Sequence, residues 1–170
     1  TVFTYRIIQG ALSRLTFLVP ETLNVTQVEG EDIQEWHIES ETNAGPRLVV
    51  TLGQQKEQTY RIRVRGEMLL AKFPNDFLLP VVTPENIMRT SGFLILGTDS
   101  AIKLQIAKAL GLTQVDRDAF TQTVIEPGRP GAGDRMLPAR SVYTYQYASV
   151  PYTLQVNADD IVPTIAADGR

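Results

Sequence analysis

At 170 residues, with 43% hydrophobic and 21% charged side chains, the chain has globular composition and a length suited to one packed core, which excludes intrinsic disorder. The 16 basic and 19 acidic residues leave a net charge of −3, without the positive field that draws proteins to nucleic acid. The absence of cysteine excludes disulfide frameworks, thiolate nucleophiles and Cys-ligated metal centres.

Period-two alternation of apolar and polar residues runs through the chain, the pattern of strands with one face in a core. Thr1-Val2-Phe3-Thr4-Tyr5 already reads as strand, so the chain is taken as part of a longer protein. Leu15 and Phe17, then Leu23 and Val25, alternate with polar neighbours; Trp36 and Ile38 face one way, Glu35, His37 and Glu39 the other. A turn over 42–46 leads to Leu48, Val50 and Leu52, and Gly53-Gln54-Gln55-Lys56 to a second reversal. Tyr60, Ile62 and Val64 then point inward with Arg61, Arg63 and Arg65 outward, which predicts a three-stranded meander from Glu29 to Gly66. On this reading Trp36, Ile38, Leu48, Val50, Leu52, Tyr60, Ile62 and Val64 form the heart of the core. Trp36→Ala is then expected to cost about 3–5 kcal/mol.

Met68 to Val82 carries Pro74 and Pro80 and reads as an irregular crossing between two sheets, with a short strand near Phe77 to Val82. Phe93 to Leu96 is a strand. The next segment allows either a helix capped by Asp99 or Ser100 and ending at Gly111, or a hairpin over 97–100 into Ile102, Leu104 and Ile106; the alternation with Lys103 and Gln105 favours the hairpin. No apolar run approaches the roughly 20 residues of a membrane-spanning helix, so no membrane insertion is expected. Pro127-Gly128-Arg129-Pro130-Gly131 makes 121–140 a long loop or linker, and strands resume at Val142. The expected fold is an all-β, antiparallel β-sandwich with short connections and at most one short helix near 100–110. Residues 1–120 form its body, and 141–170 either complete it or open a next tandem copy. The second possibility rests on an internal echo, because Thr1-Val2-Phe3-Thr4-Tyr5 is similar to Ser141-Val142-Tyr143-Thr144-Tyr145, and Leu15 and Phe17 to Leu154 and Val156.

Few residues offer chemistry. Arg61, Arg63 and Arg65 stand about 6–7 Å apart along one strand face, spaced to grip an anionic glycan or acidic partner through bidentate guanidinium contacts. Glu35, Glu39 and Glu67 are the carboxylates expected to neutralise them if the stripe is only structural. Tyr143, Tyr145 and Tyr147, with Tyr152, could form a stacking platform for sugar rings, or could pack in a core. The single histidine, His37, sits between Glu35 and Glu39 on a surface strand, a poor metal site because it brings no further favoured ligand. Asp116 with Asp118, and Asn157 with Asp159 and Asp160, supply oxygens at alternate positions but lack a calcium-loop pattern. Asn24-Val25-Thr26 fits a glycosylation acceptor yet lies inside a predicted strand. No phosphate loop, nucleophile elbow or zinc-protease motif occurs, and no cofactor is expected.

The Trp-bearing meander of short amphipathic strands, with its repeat-like C-terminal segment, resembles the tandem β-sandwich modules of large exported bacterial surface or periplasmic proteins. The resemblance is one of texture across most of the chain. It implies a non-catalytic scaffolding or protein-interaction role outside the cytoplasm, with neighbouring domains of the same chain as partners. The tyrosines and the arginine stripe give the alternative, a carbohydrate-binding module with a polysaccharide as partner, and a glycan-active enzyme fragment, whose two carboxylates need only meet in space, is the third reading.

Overall fold

The computed structural model describes residues 1–40, 45–98, 102–117 and 140–160. The linker expected over 121–140, apart from Arg140, which is already strand, most of the turn at 42–46, and Asp118 lie outside the described residues. Within them the regular structure is strand, paired antiparallel in every sheet. The all-β, sandwich-like expectation therefore holds.

The described residues form two compact units, 1–69 with 80–88 and 70–79 with 89–170, where composition and length had suggested one core. In the first unit β1 (Val2–Arg6), β2 (Leu12–Leu18), β3 (Asn24–Gly30), β4 (Ile33–Glu39), β5 (Arg47–Lys56) and β6 (Thr59–Glu67) are followed, after an excursion, by β8 (Thr83–Pro84). They make two sheets, in the orders β1-β6-β3 and β4-β5-β2-β8. The core draws on both: Tyr60, Ile62 and Val64 from the first and Leu15, Phe17, Leu48, Val50 and Leu52 from the second are buried together. Phe3 on β1 meets Phe17 on β2 at 4.9 Å between ring centroids, and Tyr5 meets it edge-on at 6.3 Å, so the rings join the two sheets.

The expected meander is corrected here. β4 pairs with β5, but β6 leaves them and runs between β1 and β3 in the other sheet. Alternation encodes which face of a strand is apolar and carries no information about its neighbour, so a two-residue connection at Glu57-Gln58 could serve a hairpin or a corner equally well. Arg47 at the start of β5 ties β8 into this unit. Its Nη2 donates to Glu85 Oε1 at 2.9 Å, and its Nε lies 2.6 Å from Oε2. The Glu85 amide also donates to the Thr16 carbonyl.

Trp36 and Ile38 need correction as well. Trp36 lies opposite Val50 and Ile38 opposite Leu48, so both point to the apolar side as expected. But among the described strands β4 is the edge of its sheet, and they remain 36% and 38% exposed. With that much of the Trp36 surface open to solvent, Trp36→Ala leaves no closed cavity. Its cost should be about 2 kcal/mol, below the expectation for a fully enclosed aromatic, as read from the denaturant midpoint. A loss as large as that of an enclosed ring would restore Trp36 to the core.

The second unit contains β7 (Asn75–Leu78), β9 (Gly92–Thr98), β10 (Ile102–Leu110), β11 (Thr113–Gln114), β12 (Arg140–Tyr147) and β13 (Thr153–Asp160). Its sheets run β10-β13-β7 and β11-β12-β9. Residues 102–110 are strand, so the helix alternative falls. β9 and β10 nevertheless do not form a paired hairpin, because they belong to different sheets. Leu154 and Val156 from one sheet and Tyr145 from the other are the buried centre, with Phe77, Leu94, Leu96, Leu104 and Ile106 against them. The crossing expected over 68–82 supplies β7 to this unit, and β8 beyond it returns to the first.

Candidate functional site

The arginine stripe lies on the outward face of the sheet β1-β6-β3. Ile62 and Val64 on the same strand are buried, so strand alternation turns Arg61, Arg63 and Arg65 to solvent. Arg61 lies opposite Thr4 and Arg63 opposite Val2 on β1; Arg63 lies opposite Glu29 and Arg65 opposite Gln27 on β3. Glu29 is the carboxylate beside Arg63 and Arg65. Its Oε2 stands 3.3 Å from Arg63 Nη1 and 3.8 Å from Arg65 Nη2. Of the expected partners, Glu35 and Glu39 are on β4 in the other sheet, and Glu67 ends β6 itself, opposite Asn24. There Glu39 Oε1 contacts Arg14 at 3.3 Å and His37 at 3.4 Å.

Arg6 is the residue that the stripe reading missed. It sits opposite Thr59 on β1, on the same outward face, and extends the basic surface across two strands. Nothing in the local pattern of β1 or β3 could reveal that Arg6 and Glu29 flank β6, because strand order is a long-range property. Glu29 holds its pairs in a half-exposed setting where such contacts are worth little, so an anionic ligand could compete for Arg63 and Arg65.

The tyrosines fall into two groups. Tyr145 is only 5% exposed and belongs to the second core; opposite it on β9 is Leu94. Tyr143 packs against the same core, its ring 6.4 Å from that of Tyr145, and its hydroxyl donates to the Leu104 carbonyl at 3.4 Å. Tyr145 therefore has no face to offer a sugar, and the expected row of three does not form a surface platform. Tyr147 lies across from Gly92, where an added Cβ would come within 2.8 Å of its hydroxyl oxygen, so glycine is what lets the ring lie over β9. Tyr147 also packs on Tyr152 at 4.8 Å between centroids.

Burial, and then the nearby Tyr147 hydroxyl, push Tyr152 up to about 12. Burial also raises Tyr147, against a lowering hydrogen bond with Thr90. The folded protein holds these phenol protons more tightly than an unfolded chain, whose tyrosines titrate near pH 10. Their contribution is whole below that pH and is lost as pH rises toward the folded values. The denaturant midpoint should therefore fall steadily above about pH 10, and Tyr152→Phe should make that fall shallower. An unchanged slope in the variant would remove Tyr152 from the effect.

Among the described residues no group of three or more His, Asp or Glu is placed to hold a metal ion. Asn157 and Asp159 face Gln105 and Lys103 across the β10–β13 pair. No helix of the described residues is long and apolar enough to cross a membrane. No family model, curated protein or solved structure matches the chain.

Proposed function

We propose that the chain is a non-catalytic pair of β-sandwich units within a larger, exported bacterial protein, acting in scaffolding and protein–protein interaction. The observation that carries this reading is the recurrence of one building device. In the first unit β1 lies in one sheet and β2 crosses to the other; in the second unit β12 and β13 do the same. The echoed residues take equivalent roles, with Leu15 and Phe17 buried on β2 and Leu154 and Val156 buried on β13. Repetition of a self-contained packing device is the economy of tandem modules, which present surfaces to partners and neighbouring domains.

A second reading, binding of an anionic polysaccharide, is favoured by Arg6, Arg61, Arg63 and Arg65 sharing one face. The test is binding of the purified chain to a panel of acidic and neutral glycans at low and high salt, with Arg61, Arg63 and Arg65 replaced together by Gln as control. The module reading expects no binding that depends on the arginines. Binding lost both in high salt and in the triple variant would overturn it in favour of the glycan reading.

A further inference from the structure

The edge of β1 that no described strand fills has a filled counterpart inside the same chain. Thr1 and Val64 exchange main-chain hydrogen bonds at 2.7 and 2.8 Å, and the Ile7 amide donates to the Gln58 carbonyl at 2.8 Å. Odd-numbered residues of β1 therefore direct their N–H and C=O groups at β6. By antiparallel alternation Val2, Thr4 and Arg6 direct theirs to the opposite side, where the sheet order ends among the described residues. In the second unit Thr144 is the echo of Thr4. Its carbonyl accepts from the Val115 amide at 2.9 Å, and β11 runs beside β12 through the pairs Thr113–Gln146 and Gln114–Tyr145. The neighbours on the other side correspond too: Phe3 opposes Ile62 on β6 as Tyr143 opposes Leu96 on β9. Thr144, with its edge filled, is 5% exposed, whereas Thr4 is exposed.

We infer that the open edge of β1 is a strand-acceptor site that takes a short extended segment of a partner protein, antiparallel to Val2–Arg6, as β11 lies on β12. The inference rests on the interaction-module reading and names its surface. β1 pairs with β6 in unbroken register and holds no proline or bulge, two of the devices that blunt a sheet edge, and its one charged residue, Arg6, is at its end. The affinity of such a site comes from main-chain bonds, and its selectivity from the side chains at alternate positions. The occupant has the chemistry of Thr113-Gln114-Val115, β-branched and polar, with a free N–H opposite Thr4.

The probe is a synthetic peptide copying residues 110–117, added at millimolar concentration to the full 170-residue chain while amide hydrogen exchange is followed residue by residue. Exchange at Thr4 and Arg6 should slow by about tenfold or more, with the β4 edge unaffected. A peptide N-methylated at the position copied from Val115 lacks the donor and should give no protection. Thr4→Pro should also abolish the effect while leaving the β1–β6 ladder intact, since the Thr4 amide does not bond to β6. No slowing at Thr4 and Arg6 would overturn the site, as would equal slowing with the N-methylated peptide or protection confined to β4. If the glycan panel is also blank, such a failure removes the β1 site alone; arginine-dependent glycan binding removes the module reading instead.

Discussion

Phe17→Ala should lower the stability of the first unit by about 3–5 kcal/mol, a large share of the roughly 5–15 kcal/mol that holds a typical domain together. Phe17 has no exposed surface and sits on β2, a strand with neighbours on both sides. Its ring is the one that Phe3 and Tyr5 both contact from the opposite sheet. Removing it strips the contacts that bind sheet to sheet and leaves an enclosed hole that the strands cannot close, because their ladders fix their positions. Trp36 is the single tryptophan of the chain and lies in this unit, so its fluorescence reports the loss directly. The expected result is a lower denaturant midpoint with an unchanged slope. A shift no larger than that of Trp36→Ala would show that Phe17 does not hold the sheets together.

Leu154→Ala should cost about 2–5 kcal/mol, in the second unit. Leu154 is fully buried on β13, the central strand of its sheet between β10 and β7, and faces the core that Tyr145 enters from the other sheet. The Leu79 amide donates to its carbonyl, so the backbone there is held while the side chain is removed, and relaxation into the hole is limited. Tyrosine near-ultraviolet signals should record the change. The Trp36 fluorescence transition should stay close to that of the parent chain, because the two buried clusters share no residue. A Trp36 transition displaced as far as in Phe17→Ala would mean that the clusters act as one.

Much of the local structure was legible because alternation is local. The inward set Leu48, Val50, Leu52, Tyr60, Ile62 and Val64 is buried as expected, and 102–110 is strand, as the alternation of Ile102, Leu104 and Ile106 favoured. The neighbours of each strand were not legible. Trp36 has the right parity and the wrong depth, since only strand order makes β4 an edge. The carboxylate beside the arginine stripe was sought on β4 and at Glu67 on β6 and found on β3, whose pairing with β6 includes a register shift between Val25 and Gln27 that no pattern of polarity announces. Tyr143 and Tyr145 read as either platform or core, and Leu94 and Leu96 opposite them on β9 decided for the core. The division into two units depends on 92–110 pairing with 140–160, contacts across a long stretch of chain.

Two closed cores built on one repeated strand device are the basis for regarding this chain as a tandem interaction module. Amide hydrogen exchange on Phe17→Ala and Leu154→Ala, compared with the parent chain, tests that basis most directly. Phe17→Ala should speed exchange in β1–β6 and spare β9, β10, β12 and β13, and Leu154→Ala should do the reverse. Loss of protection across all strands in both variants would contradict two separate cores and return the chain to a single cooperative domain.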